Sequence, residues 1–411
     1  MRSLGGVADD PPAAAASRRS GRAALPPGFG TIWVTVAIDL VGFGIVLPVL
    51  PLYARRYHAS PAVAGALVAA FSLAQLVASP LWGRLSDSVG RKPVLIVSLV
   101  GTAIGSLFTG LAMGLPLLFI GRLVDGASGA SVSVAQASVA DIAAPAERSR
   151  LFGLLGAAFG LGFVIGPAIG GLLSPIDPRL PFLVAAAIAG VNAIVAVRRL
   201  PETRPRGSGE RSHPRRSGAW RTRPVLTLLA VSFLSLVAFS AFEGTFALFT
   251  HQRLGLQQGS TYAVFVVIGV LIAAVEVGLV HPAVARFGER GALQWGLVLN
   301  AVGLAMLPAV HSRWWLLPSL LLLTAGQGLI TPTLSSTVAG QVDHGARGEV
   351  LGVQQSVGGL ARVLGPILGG VAFGAIGVGA PYAGGAVLVA MAAGLLASAP
   401  PHGAGPDVTV E

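Results

Sequence analysis

Six charged residues lie inside long apolar stretches of this chain. Their carboxyl and guanidinium groups could bind protons, form ion pairs or contact a bound molecule. The six are Asp39, Arg122, Asp125, Glu243, Glu276 and Arg362. Only 11% of the 411 residues are charged, and one charge in an apolar medium costs about 2.5 to 3.5 kcal/mol on insertion scales. Such residues therefore face a cavity, a partner or a bound molecule, and the carboxyl groups among them can take up and release protons.

The stretch GRLVDG places Arg122 and Asp125 three residues apart, which puts both side chains on one face of a helix. Opposite charges at this spacing can neutralise each other. Two interpretations are open. Either Asp125 pairs with Arg122 and lowers the cost of its burial, or Asp125 is itself a protonation site.

Asp39 is the strongest candidate for a proton site, because it is a lone carboxyl group in the stretch IDLVGFGIVLPVLPLY. A carboxyl group in a cavity can bind a proton from one side and release it on the other when a cation or substrate competes. Glu243 lies near the middle of its apolar stretch and has either this role or a structural one. Glu276 faces either a neighbouring helix or the cavity. Arg362 can bind an anionic group of a substrate or pair with one of the carboxylates.

The medium around these charges follows from the composition, which is 53% hydrophobic with a mean hydropathy of +0.75. A helix needs about 20 apolar residues to cross a bilayer, and no alternating pattern of β-barrel strands is visible. Twelve stretches reach that length: 31–53, 61–82, 93–113, 116–141, 150–173, 181–200, 224–250, 260–283, 291–310, 314–338, 350–376 and 380–399. The sequence thus predicts an all-α integral membrane protein with twelve transmembrane helices.

The twelve helices divide into two halves at a segment rich in Arg, Pro, Gly and Ser, which predicts a solvated linker over 201–223. We expect six-helix bundles over 31–200 and 224–399. Residues 1–30 contain no apolar core long enough for a secretory signal and are interpreted as a disordered cytoplasmic tail, followed at the other end by a tail over 400–411.

The two halves repeat each other, which predicts pseudo-symmetric bundles. The fifth predicted helix contains GFVIGPAIGG and the eleventh contains ARVLGPILGG. At one constant offset, Gly153, Gly160, Gly166, Pro167, Gly170 and Gly171 fall on Gly352, Gly359, Gly365, Pro366, Gly369 and Gly370. Repeats of this kind place a binding site at their interface, near the middle of the bilayer.

The net charge of +11 reflects membrane orientation more than nucleic-acid binding. If both termini are cytoplasmic, most of the 28 lysines and arginines fall in the N-terminal tail and the inner loops. The outer loops then hold only Arg55, Arg56, Arg179, Arg253 and Arg313. This asymmetry follows the positive-inside rule and predicts that both termini are cytoplasmic.

Several kinds of chemistry find no support in the sequence. There is no cysteine, and the seven histidines do not pair at metal-ligand spacing, so we expect no metal and no cofactor. No phosphate-binding G-x-x-x-x-G-K-[ST] loop is present. Protons moving through the membrane potential are then the most economical energy source.

The segment GRLSDSVGRKP (83–93), between the second and third predicted helices, resembles the loop signature of the major facilitator superfamily. Within that superfamily, the chain resembles the twelve-helix drug–proton antiporters, which include the tetracycline exporters. The matching residues are Gly83, Asp87, Gly90, Arg91 and Lys92. The resemblance implies a short loop that acts as a conformational latch, whereas the alternative is that its cations serve only membrane orientation. In the second copy, PAVARFGERG (282–291), Gly288 and Arg290 are kept but Ala285 replaces the aspartate.

Two further motifs carry the resemblance. Arg122, Gly126 and Gly129 match the superfamily's arginine motif, whose arginine is associated with proton-binding carboxylates; Asp125 is not part of that pattern. The fifth helix resembles the motif of antiporters at Gly162, Gly166, Pro167, Gly170 and Gly171. Tight helix packing is an equal explanation of these small residues.

From these features we expect a secondary active transporter, with no enzymatic activity, that exports small amphipathic compounds in exchange for protons. A uniporter or proton symporter of the same fold is the alternative, and a membrane scaffold is a remote one. The expected partners are a small-molecule substrate, protons and lipid, with no nucleic acid, and the chain is expected to be a monomer. One lysine against many arginines indicates a bacterial source and hence the plasma membrane.

Overall fold

The computed structural model describes residues 25–143, 147–204, 218–343 and 346–399, and all of its regular structure is helical. Residues 1–24 of the expected N-terminal tail, 205–217 of the expected linker and the whole expected C-terminal tail lie outside the described residues.

The described residues form thirteen α-helices, and short 3₁₀ turns over Ala219–Arg221 and Leu307–Ala309 accompany them. The helices are α1 (Phe29–Arg55), α2 (Pro61–Val89), α3 (Arg91–Gly110), α4 (Leu115–Ser128), α5 (Ser131–Ile142), α6 (Arg148–Leu173), α7 (Leu180–Arg199), α8 (Arg223–Leu254), α9 (Gln258–Gly278), α10 (Val280–Met306), α11 (Arg313–Gly340), α12 (Arg347–Ala375) and α13 (Ala380–Ser398). They provide twelve segments that are long and apolar enough to span a membrane, with α4 and α5 forming one segment together. The prediction of an all-α membrane protein with twelve spans is confirmed.

The fourth span is broken, so the prediction of one continuous helix over 116–141 is wrong. Helix α4 ends at Ser128, Gly129 and Ala130 lie outside the helices, and α5 begins at Ser131. Gly129 has φ −69° and ψ 55°, which is not helical. The break releases backbone groups from the helix ladder in the middle of a span, and these groups need other partners.

The expected loop over 83–93 is also wrong, because α2 continues as a helix to Val89. Gly83 and Asp87 lie in the last turns of α2, and only Gly90 separates α2 from α3. Gly90 has φ +105°, in the left-handed region that favours glycine. The second copy is equally helical: α10 begins at Val280 and bends at Gly288, which has φ 72°.

The two halves pack in the same way around their fifth spans, α6 and α12. In the first half, Gly162 lies against the backbone of Leu40 and Gly166 against that of Gly44, both on α1 and too close for any side chain. In the second half, Gly365 and Gly369 lie against α8 in the same manner. Three of the predicted antiporter-like residues of α6, Gly162, Gly166 and Gly170, therefore form a close contact with α1, and Pro167 lies within the same helix.

Each fifth span also contacts the opposite half. On α6, Gly171 packs against Tyr262 of α9, where an added Cβ would meet the tyrosine Cβ at 2.9 Å. On α12, Gly370 packs against Pro61 of α2, and Gly359 packs against Leu76 farther along the same helix. The contacts thus relate the two halves by pseudo-symmetry, as predicted.

The halves meet mainly at one end of the bundle. We name the end where α2 meets α3 the basic end, because Arg91, Lys92, Arg198 and Arg199 lie there. At the opposite end, Leu52 of α1 belongs to a core cluster of the second half, and Tyr262 belongs to a cluster of the first. At the basic end, the described core around Phe29 contains residues of the first half alone. The interface between the halves is therefore closed at the opposite end.

Candidate functional site

Arg122 and Asp125 form an ion pair inside α4. The distance from Arg122 Nη1 to Asp125 Oδ2 is 2.7 Å, and the two residues are only 3% and 6% exposed. The guanidinium carbon lies 4.5 Å from the centre of the Phe71 ring on α2, and the Thr102 side chain of α3 lies close to Asp125. The arrangement in which Asp125 pairs with Arg122 is therefore present. Burying such a pair with these additional contacts costs far less free energy than burying either charge alone.

The break in the fourth span lies next to this pair and is held by polar side chains of α2 and α3. These side chains are Trp82, Gln75 and Ser98. Gln75 donates to the carbonyl of Gly129 at 3.0 Å, and the Ser98 hydroxyl accepts the N–H of Ala130 at 3.1 Å. Ser98 also donates to the Ser128 carbonyl. The freed backbone groups are thus satisfied by neighbouring helices, which makes the break a defined structural feature.

The break places Ser131 against Asp39. The Ser131 hydroxyl donates to Asp39 Oδ2 at 2.5 Å, while Asp39 Oδ1 is buried and has no hydrogen-bond partner among the described residues. Asp39 is also close enough to Asp125 for the two charges to interact. The structure therefore brings three of the predicted residues, Asp39, Arg122 and Asp125, into one cluster.

Glu243 and Arg362 form a second pair of charges, on α8 and α12. These helices are in direct contact, since an added Cβ at Gly365 would lie 2.7 Å from the Ser240 side chain. The two charges are close enough to interact, yet the described structure contains no ion pair between them within 4.0 Å. Both residues are half-buried.

Glu276 stands apart from both clusters. It is two residues before the end of α9 at Gly278, toward the basic end rather than mid-span. It is half-buried and makes no hydrogen bond or ion pair within the part of the chain that the structure describes. The same described ranges contain no group of three His, Asp or Glu side chains that could hold a metal ion.

The junction of α2 and α3 is organised around Arg91, which is only 7% exposed. Its Nε lies 2.9 Å from Asp141 Oδ2 near the end of α5. Its Nη1 lies 2.9 Å from Asp87 Oδ1 and donates to the Ser86 hydroxyl at 2.7 Å. Arg91 therefore ties the second, third and fourth spans together at the basic end.

Residues that follow α7 complete this junction. The Glu202 carboxylate accepts the backbone N–H groups of Arg91 at 2.9 Å and Lys92 at 3.2 Å. It thereby caps the N-terminus of α3, whose first N–H groups have no partner within the helix. Arg204 Nη1 lies 2.7 Å from Asp87 Oδ1. The beginning of the predicted linker is thus bound to the motif between α2 and α3.

Sequence reasoning missed Ser131, Asp141, Glu202 and Arg204. The sequence gives a weak indication of Asp141 and Glu202. Each is an acidic residue at the end of a predicted span, on the same side of the membrane as the segment GRLSDSVGRKP. It gives no indication of Ser131, since the position of that residue depends on the break in the fourth span.

Comparison with known proteins gives one consistent result. A family model described as Major Facilitator Superfamily matches residues 32–280 and 278–409. Tetracycline resistance protein, class C, of Escherichia coli is 34% identical, and the match covers 81% of this chain and 86% of that protein. Multidrug resistance protein 1 of Bacillus subtilis is 30% identical, over 82% of this chain and 87% of that protein.

Solved structures agree with the fold. The human organic anion transporter MFSD10 superposes with a TM-score of 0.70 at 26% identity, covering 90% of this chain and 100% of that chain. The nucleoside transporter NupG superposes with a TM-score of 0.74 at 13% identity, over 91% of this chain and 100% of that chain. The second likeness concerns the fold alone.

Proposed function

Because the chain belongs to the Major Facilitator Superfamily, we propose that it is a secondary active transporter that exports small amphipathic compounds in exchange for protons. Its relatives named for tetracycline resistance and multidrug resistance support export of drug-like compounds. The proposed location is the bacterial plasma membrane, with the basic end and both termini in the cytoplasm, as the positive-inside rule favours.

The environment of Asp39 is the observation that supports the proposed proton coupling. One of its carboxylate oxygens is held by Ser131 at 2.5 Å, and the other is buried without a partner in the described structure. A proton on the free oxygen neutralises the buried carboxylate. The neighbouring ion pair places the Asp125 carboxyl group and its Arg122 partner beside it. Proton binding at Asp39 therefore changes the net charge of the cluster by one.

The second cluster is proposed to contact the substrate. Glu243 and Arg362 are close enough to interact but form no ion pair within 4.0 Å in the described structure, so both charges remain available to polar groups of a bound compound. An amphipathic molecule would place its polar groups there and its apolar body against apolar side chains of the spans.

Alternating access is proposed to involve the junction at the basic end. Arg91 connects Asp87 of α2 to Asp141 of α5, and Asp87 also pairs with Arg204. The halves meet at the end opposite the basic end. With the basic end in the cytoplasm, this arrangement favours an inward-open state of the protein. Rocking of the halves would close the basic end and change the partners of Asp87.

A susceptibility panel in a host that lacks its own efflux pumps tests this function. We expect cells expressing the wild-type chain to tolerate several amphipathic antibiotics, tetracycline among them, and cells expressing Asp39→Asn at equal membrane abundance to lose that tolerance. Increased sensitivity on expression of the wild type would instead support import by a proton symporter. Equal sensitivity with and without the wild-type chain would contradict the proposal.

A further inference from the structure

An apolar groove of about 570 Å³ runs along the outer surface of the first half, between α3 and α7. Its lining consists only of Ile, Val, Leu, Ala and Gly residues. On α3 the wall is formed by Ile96, Val100 and Ile104, which follow one another at four-residue spacing and therefore lie on one face. On α7, Ile194 and Val197 form the facing wall beyond Gly190.

The groove has a cationic mouth at the basic end. Lys92 lies four residues before Ile96 on α3, and Arg198 lies four residues after Ile194 on α7. Each cation therefore continues the apolar stripe of its helix. Neither side chain makes an ion pair among the described residues, and the nearby Glu202 carboxylate is occupied by backbone N–H groups.

The dimensions of the groove indicate what can fill it. From Ile96 to Leu107 the helix rises about 16 Å, which is about the depth of one leaflet in a hydrocarbon core of roughly 30 Å. A hydrocarbon chain that starts at the membrane surface and enters one leaflet matches that length, and an anionic group at its head matches the cationic mouth. A lipid is therefore a better occupant than an apolar helix of a second protein, which makes no use of the two cations.

The corresponding surface of the second half has no cation on its last helix, and the Arg290 guanidinium on α10 donates to the carbonyls of Leu396 and Ala399. Helix α13 packs against α10 as α7 packs against α3, yet its last turn contains no basic residue, whereas the last turn of α7 contains Arg198 and Arg199. The combination of an apolar groove and a cationic mouth therefore belongs to the first half and is not required by the fold.

We propose that this groove is a binding site for an anionic glycerophospholipid of the leaflet at the basic end. One acyl chain lies in the groove between α3 and α7, and the phosphate group contacts Lys92 and Arg198. Basic pockets between transmembrane helices bind anionic headgroups in this way. The site lies on the lipid-facing surface and does not depend on the proposed transport function.

Gly190 allows the groove to be filled without disturbing the fold. A Cβ added at this position meets no atom within 4 Å, and leucine favours a helix more than glycine does. Gly190→Leu therefore blocks the groove and keeps both cations. Gly394→Leu, on the exposed surface of α13, is the matched control, since a Cβ there also meets open space.

The test is native mass spectrometry of the delipidated full chain in detergent, titrated with phosphatidylglycerol or phosphatidylcholine of identical acyl chains. We expect the wild type to bind phosphatidylglycerol more tightly, and Arg198→Gln and Lys92→Gln each to reduce that preference about fivefold. Arg199→Gln, which removes a neighbouring cation outside the stripe, should leave the preference unchanged. Gly190→Leu should weaken binding of both lipids, and Gly394→Leu should bind like the wild type.

Each contrary result overturns the proposal. Equal affinity of the wild type for the two lipids would show that Lys92 and Arg198 do not bind the phosphate group. Equal binding by Gly190→Leu and Gly394→Leu would show that the groove does not hold the acyl chain. If Arg199→Gln lowers the preference as much as Arg198→Gln, the attraction is a general effect of basic charge. Unchanged melting temperatures in detergent verify that each variant is folded.

Discussion

The hydroxyl group of Ser131 donates a hydrogen bond of 2.5 Å to the carboxylate of Asp39, from the first residue of α5 to the middle of α1. The fourth span must break before Ser131 for this contact to form, and side chains of α2 and α3 hold the break open. The proposed proton site therefore depends on four helices of the first half.

The hydrogen bond predicts that Ser131 sets the proton affinity of Asp39. Ser131→Ala removes a donor to the charged form, so protonation becomes easier and the pH dependence of transport moves to higher pH. Ser131→Thr keeps the hydroxyl group and should restore the wild-type profile. The measurement is the pH profile of drug accumulation in inverted membrane vesicles. Identical profiles for Ser131→Ala and the wild type would contradict this role.

The buried pair of Arg122 and Asp125 predicts a strong effect of removing one partner. Asp125→Asn leaves a buried arginine without its countercharge, and the expected loss of stability is about 3 to 5 kcal/mol. The double variant Arg122→Gln, Asp125→Asn removes both charges and should recover most of it. Thermal unfolding in detergent measures this difference. A stable Asp125→Asn protein with an altered pH profile would instead identify Asp125 as a proton site.

Gly90 predicts a local requirement for glycine. Its φ of +105° is strained for any other residue, and an added Cβ would lie 2.5 Å from Glu202 Oε2. Gly90→Ala should destabilise the fold by about 1 to 3 kcal/mol. Gly83→Ala is the control, because Gly83 is helical and a Cβ there meets open space; it should be neutral or slightly stabilising. Similar melting temperatures for the two variants would argue against the strain.

The two arginines that contact Asp87 predict unequal effects on stability. Arg91 is buried and makes two ion pairs, so Arg91→Gln should cost about 2 to 3 kcal/mol. The Asp87 side chain is 55% exposed where Arg204 meets it, so Arg204→Gln should cost less than about 1 kcal/mol. Denaturation of each variant in the same detergent gives the comparison. A larger loss for Arg204→Gln would mean that the linker contact dominates the junction.

The sequence was sufficient for the features that depend on one helix at a time. Apolar length predicts the twelve spans, because each helix must match the bilayer thickness. Three-residue spacing likewise predicts the contact of Arg122 and Asp125. Repeated glycines at a constant offset predict the related packing of α6 and α12, since close backbone contact requires small residues.

Features that depend on contacts between several helices could not be predicted from the sequence. The break before Ser131 is stabilised by Gln75 and Ser98, which are far from it along the chain, so no local pattern indicates it. Helix α2 extends to Val89 because its last turns are held by the ion pair of Asp87 with Arg91 and need not stay within the bilayer. The cap that Glu202 provides for α3 also joins distant segments.

Proton coupling through Asp39 is tested most directly in proteoliposomes with the compound that the susceptibility panel identifies. Two modes are compared: accumulation driven by an imposed proton gradient, and exchange of labelled for unlabelled compound without a gradient. We predict that Asp39→Asn abolishes gradient-driven accumulation and retains exchange, because exchange requires no net proton movement. Gradient-driven accumulation by Asp39→Asn at the wild-type rate would contradict the account.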